Sequence, residues 1–221
     1  MFPIVPDIKA DGERAYQQLK VRLDFYSETV LLTRFEEGGV RTTYPVAVAD
    51  LAAAFTGIPL SSGLLPPRTV FWSRAGDQDR IGIYRPARVQ EVVRAEAGKL
   101  TIPLPPLLFV GHGANYSVYA LKGKPDSDDR PLFHAPLPNV GTNGRVCRGD
   151  VAFSRCSGAT IRPALKLLLS SRFNNHEVEG KSRRCPDDVR MLWQEIAGRR
   201  RFPVGDLVPM GLTLGEVIHG R

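Results

Sequence analysis

Cysteine and histidine are scarce in this sequence, and no part of it stays apolar for long. Three cysteines (Cys147, Cys156 and Cys185) and four histidines are spread over 221 residues. The odd count and wide gaps do not form a disulfide framework. The pairs also lack the short Cys–Cys and His–His spacings of common structural zinc sites. A zinc site built from Cys147, Cys156, His176 and Cys185 is therefore only a paper alternative, and no metal is expected. No apolar run approaches the ~20 residues that cross a bilayer. The chain opens Met1-Phe2-Pro3-Ile4 and soon meets Asp7 and Lys9, which is unlike a secretory signal. A reducing cytoplasm with free thiols and no membrane partner is the expectation. Neither GxxxxGK[ST] nor GxGxxG occurs, and Gly111-His112-Gly113 fits no phosphate loop, so no nucleotide cofactor is expected from motifs.

What is present is ordinary globular composition, with 43% hydrophobic and 24% charged residues, enough for a core without staples. The formal net charge is +7. The basic residues are scattered, and the densest runs, Lys181–Arg184 and Arg199–Arg201, read as solvated surface. Nucleic acid is not an expected partner. A basic C-terminal third that did bind it would show affinity falling steeply with salt.

Along the chain, Asp11–Leu19 reads as a helix. Thr29–Phe35, a Glu36–Gly39 turn and Val40–Val46 read as a hairpin, and Ala47–Phe55 as a short helix stopped by Gly57 and Pro59. Thr69–Ser73, Arg80–Tyr84, Gln90–Ala95, an apolar tract over Leu104–Val110, and Tyr116–Leu121 read as a meander. Residues 131–150 have no periodicity. Amphipathic helices follow over Thr160–Arg172, with Pro163 in the first turn, and over Pro186–Ala197, with Met191, Leu192, Trp193 and Ile196 inward. Thr213–Ile218 reads as a helical turn. Strands followed by helices predict an α+β fold, an antiparallel meander with helices packed on one side. The expected organisation is an N-terminal extension over 1–24, a catalytic domain over 25–200, and a C-terminal extension over 201–221 packed on that domain.

The aperiodic segment carries the chemistry: Pro136-Leu-Pro-Asn-Val-Gly-Thr-Asn-Gly-Arg-Val-Cys147. Asn143-Gly144 offers a tight turn between Asn139 and Cys147, which folds the asparagine back beside the thiol. A thiolate is a good nucleophile and, once acylated, a good leaving group. A side-chain amide beside it can donate to the oxygen that gains charge when an amine attacks. A buried structural cysteine is the bland reading of Cys147, and a turn residue that of Asn139. Cys156 and Cys185 read as incidental, and Asn174-Asn175-His176 as a helix-ending turn.

This segment resembles the active site of the ubiquitin-conjugating (UBC) superfamily, whose pattern is His-Pro-Asn, an extended flap, then Gly-x-Ile/Val-Cys. Leu137-Pro138-Asn139 stands at the first part and Gly144-Arg145-Val146-Cys147 at the second. The resemblance is closest to bacterial conjugating-enzyme-like families, among them protein B of the PRTRC systems and prokaryotic family D. It implies a UBC-like fold with a flap loop before the catalytic cysteine. It also implies an activity: an adenylating activating enzyme passes a ubiquitin-like protein to Cys147, which hands it to an amine of a protein target. Bacterial relatives sit beside a JAB-type deconjugating peptidase, and some of these systems defend against phage. The resemblance makes Cys147 the thioester residue and Asn139 the oxyanion and flap residue. Leu137 replaces the family histidine, with His134 three residues earlier. Where relatives carry an aspartate, this chain has Gly149, then Asp150, which is assigned to orienting the amine or, equally, to a turn. The alternative is a catalytically silent UBC-fold binding or scaffold module.

Overall fold

Four successive residues, Leu107, Leu108, Phe109 and Val110, are buried on both faces of one strand, and the main sheet is built around it. The computed structural model describes residues 20–27, 29–35, 41–56, 61–75, 78–149 and 151–220. The chain divides into two compact units, 1–61 and 62–221.

In the first unit, strands β1 (Val21–Phe25), β2 (Val30–Phe35) and β3 (Arg41–Val46) form an antiparallel sheet in the order β1-β2-β3. The expected hairpin is therefore present. Pro45 is tolerated in β3 because that strand is an edge, where a missing N–H leaves no partner unpaired. Helix α1 (Val48–Thr56) matches the helix expected over Ala47–Phe55. The helix expected over Asp11–Leu19 and the Glu36–Gly39 turn lie outside the described residues.

The second unit contains β4 (Thr69–Ala75), β5 (Gln78–Arg85), β6 (Arg88–Arg94), β7 (Gly98–Leu104), β8 (Leu107–His112), β9 (Asn115–Ala120), β10 (Pro131–His134), β11 (Arg172–Phe173) and β12 (Pro209–Thr213). Its helices are α2 (Ile161–Ser170), α3 (Val189–Ile196) and α4 (Leu214–His219). The main sheet has six strands in the order β12-β10-β9-β8-β5-β4, and every neighbouring pair in it is antiparallel. The fold is thus α+β with an antiparallel sheet.

Two expectations need correction. Residues 90–95 do not extend the meander. The β6–β7 hairpin leaves the sheet, pairs with the short parallel β11, and lets doubly buried β8 take the place beside β5. Nor do all helices share one side. Leu107 and Phe109 belong to a core with α2 and α3, whereas Leu108 and Val110 pack with Leu214 and Val217 of α4. Successive strand residues point to opposite faces, so α4 covers the back of the sheet.

Helix α2 buries Ile161, Ala164, Leu165, Leu168 and Leu169, the spacing of a single helical face. Its N-cap, Thr160, makes no side-chain capping bond. A missing cap costs about 1 kcal/mol, whereas each large buried side chain contributes about 1.5–3 kcal/mol, so packing decides where this helix forms. Helix α3 buries Val189, Leu192, Trp193 and Ile196, as its pattern predicts, but Met191 is 52% exposed rather than inward. Five strands escaped sequence reading: β1, β7, β10, β11 and β12. β10 alternates Leu132 toward α4 and Phe133 toward α2 and α3, a pattern too short to register between prolines. β12 pairs with it at the sheet edge, with a bulge between Pro131 and Phe133.

Helix α4 begins with a capping box: the Glu216 N–H donates to Thr213 Oγ1 at 3.3 Å, and the Thr213 N–H donates to the Glu216 carboxylate at 2.7 Å. At its other end Arg80 of β5 donates to the carbonyls of Val217 and Ile218. Thr213→Ala is expected to lower the unfolding free energy by about 1 kcal/mol, measured by urea denaturation.

Candidate active site

The segment 135–147 is irregular, and most polar groups along its backbone have a partner. Trp193 Nε1 donates to the Pro136 carbonyl at 2.8 Å from within the core, where the indole packs edge-on against Phe173. Lys181 Nζ donates to the Leu137 carbonyl at 2.8 Å, and also to the carbonyls of Val140 and Glu177. The Asn139 N–H donates to the His176 carbonyl at 2.8 Å. Leu137, Val140 and Val146 all join the core beneath α2 and α3. The loop is therefore anchored at its entry by residues 172–193 and by its own buried side chains.

Beyond Asn139 the chain doubles back as a small hairpin. Val140 bridges Val146, the Gly141 N–H donates to the Arg145 carbonyl at 2.8 Å, and the Gly144 N–H donates to the Gly141 carbonyl at 2.8 Å. Asn143 Oδ1 accepts from the Arg145 N–H at 2.9 Å. Gly144 is required twice over. Its φ of +81° favours glycine, and a Cβ there would come within 2.6 Å of the Tyr119 ring. The returning arm lies against β9: the Val118 N–H donates to the Gly144 carbonyl and the Val146 N–H to the Tyr116 carbonyl, both at 2.9 Å.

The hairpin brings the backbones of Asn139 and Cys147 together, with the Cys147 N–H donating to the Asn139 carbonyl at 2.8 Å. Of the three cysteines, Cys147 alone is exposed. Cys156 is buried, and burial pushes its thiol up to about 11, which suppresses the thiolate. Cys185 is half-buried beside Glu195, and both burial and that carboxylate raise its pKa. Among the described residues, no three His, Cys, Asp or Glu residues come together as a metal-ligand group. No helix among them is long and apolar enough to cross a membrane.

Asn139 occupies the left-handed region at φ +58°, which asparagine tolerates better than most residues. Its Nδ2 donates to the Arg172 carbonyl of β11 at 3.2 Å, and its Oδ1 is buried without a partner among the described residues. The opposite amide orientation would set two carbonyl oxygens against each other, so the donor faces Arg172. The amide is thus engaged with the scaffold. Asp150 lies outside the described residues. His134 sits in β10, half-buried, with its pKa lowered first by burial and then by the nearby Lys181 ammonium. Leu137, at the place of the family histidine, is fully buried.

Sequence reading missed Lys181. It was grouped with a solvated basic run, yet both Lys181 and Ser182 are 1% exposed. No local signal distinguished it, because its acceptors lie 41 and 44 residues upstream and 4 residues upstream.

The sequence matches the prokaryotic E2 family D over residues 48–210, which is most of the chain and includes both Asn139 and Cys147. The chain belongs to that family. It is a conjugating-enzyme-like protein. No curated protein and no solved structure matches it.

Burial pushes Lys181 from 10.5 down to about 8, against the raising effect of Glu177. Lys181→Met would strip three carbonyls of their donor at about 1–3 kcal/mol for each one left unsatisfied. Its folded pKa lies below its unfolded one, so the folded chain releases this proton first. From this group, unfolding free energy rises as pH climbs from about 8 to 10.5. Urea denaturation across that window should show the slope in the native chain and its loss in Lys181→Met.

Proposed function

We propose that this chain is a ubiquitin-like-protein conjugating enzyme with Cys147 as its thioester residue. The observation that carries the reading is the one exposed cysteine, tied through its N–H to the Asn139 carbonyl by a scaffolded hairpin, in a chain of prokaryotic E2 family D. The Cys147 thiolate attacks the acyl carbon of a thioester held by an adenylating activating enzyme, and the enzyme's sulfur leaves as thiolate. A target amine then attacks the new thioester, the carbonyl oxygen gains negative charge, the Cys147 sulfur leaves, and the nitrogen loses its proton.

Asn139 is the proposed donor to that oxygen. Its Nδ2 would exchange the Arg172 carbonyl for the oxyanion, a swap of one hydrogen bond for a charge-assisted one. Lys181 supplies the loop architecture that relatives take from their histidine. Asp150 is proposed to orient the incoming amine. The partners of this reading are a ubiquitin-like protein, its activating enzyme, a protein target and a JAB-type deconjugating peptidase, in a cytoplasmic system of the kind that defends against phage. The second reading, a catalytically silent UBC-fold scaffold, is favoured by the one observation that the Asn139 amide is already bonded to Arg172.

Incubation with the ubiquitin-like protein, the activating enzyme and ATP should give a thiol-sensitive adduct on a non-reducing gel that disappears in Cys147→Ala. An adduct that persists in that variant moves the chemistry to another residue, and no adduct in either chain supports the scaffold. Asn139→Ala and Asn139→Gly separate the two jobs of Asn139, because glycine keeps the left-handed backbone and lacks the amide. Both variants should form thioester and both should slow transfer to amine by about 10²–10³. Native transfer rates in Asn139→Gly would reduce Asn139 to a backbone role.

A further inference from the structure

A cleft of about 970 Å³ lies between the β5–β6 corner and helix α2, lined by residues that are far apart in sequence. Its charge is one-sided. Arg68, Arg85, Arg88, Arg162 and Lys166 line it, and no carboxylate does. None of these five cations forms an ion pair among the described residues. Like charges gathered without a counter-charge raise the energy of the unliganded cleft, which an anion would relieve.

Arg85 is the pivotal group. Its Nη2 donates to Gln90 Oε1 at 3.0 Å, while its Nη1 is buried with no partner among the described residues. Burial, followed by the proximity of Arg88, lowers its pKa to about 10, so the guanidinium still carries its charge at neutral pH. A buried cationic N–H without an acceptor is costly, and its planar fork suits a phosphate oxygen. Beside these cations the buried side chains of Ile83, Leu165 and Leu169 give the cleft an apolar lining.

We propose that this cleft binds a nucleotide-class ligand, a nucleoside di- or triphosphate, with its phosphates at Arg85, Arg162 and Lys166 and its base against the apolar lining. Several cations converging on one concavity match an anion that concentrates charge in a small volume, as linked phosphates do; carboxylates along a peptide are spread out. The volume is at the upper end of small-molecule sites, which run to about 1,000 Å³. A single-stranded RNA would call for successive aromatic platforms, and Tyr84 is the one aromatic residue on the lining. No linear phosphate motif marks the site because its cations come from three separate segments. The assignment is independent of the thioester chemistry at Cys147.

Isothermal titration calorimetry of the full chain with ATP at physiological ionic strength tests it. The expected result is saturable single-site binding in the micromolar range, weakened about tenfold or more in Arg85→Gln and in Arg162→Gln. Arg162 is exposed on α2, so its variant tests the site even if Arg85→Gln fails to fold. Arg200→Gln, outside the cleft, should bind as the native chain does. Inorganic tripolyphosphate should bind about tenfold more weakly than ATP, since it leaves the apolar lining unused. The proposal is overturned by an absence of saturable heat at millimolar ATP, or by an equal loss in Arg200→Gln. It is equally overturned by tripolyphosphate matching ATP, or by a short single-stranded RNA binding more tightly than ATP.

Discussion

A single buried ammonium holds the candidate site in shape. Lys181 gathers the carbonyls of Leu137, Val140 and Glu177 around one nitrogen, and so joins the two sides of the Asn139 turn to the loop after β11. An ammonium has three donors, and here it meets three carbonyl acceptors, which is why a charge can sit 1% exposed with no direct ion pair among the described residues. Irregular backbone buried at a core edge must find partners for its carbonyls. In this chain a lysine provides them where a regular strand would have used its neighbour.

From that anchor the rest of the site follows mechanically. Trp193 fixes the carbonyl before the turn, and the loop of residues 172–176 receives both the backbone and the side-chain N–H of Asn139. With the entry held, the hairpin to Cys147 can be short, and its returning arm is secured to β9. The sulfur is left exposed by a loop that is itself well packed, so exposure here comes from position at the end of the hairpin. In the proposed reaction, preorganisation of this kind would spare the reacting groups from being ordered anew at each turnover.

Much of the fold was legible because its signals are local. The hairpin of the first unit, α1, β4, β5, β9, α2 and α3 carry a period of two or of 3.6 residues, and β8 stands out as a continuous apolar run. The turn at Asn143-Gly144 and the pairing of Asn139 with Cys147 were readable for the same reason, since the turn chemistry lies within the segment it folds. The departures are non-local. Whether β6 pairs with β5 or leaves the sheet depends on β8 competing for the same edge, and the side that α4 covers depends on which face of Leu108 remains unfilled. Lys181 looked like surface because its neighbours Arg183 and Arg184 are surface. Its partners come from a segment some forty residues away, and no local pattern carries that information.

The arm from Gly144 to Val146 does more than return the chain to Cys147. By bonding to the Tyr116 carbonyl and the Val118 N–H, it occupies the stretch of β9 that β10, paired only at Ala120 and Tyr119, leaves free. Lifting the hairpin would bare that length of sheet margin, an adhesive surface that folded proteins keep covered. In the proposed thioester reaction, a bulky acyl donor would reach the sulfur from the solvent side with the hairpin closed, the side on which Cys147 is already exposed.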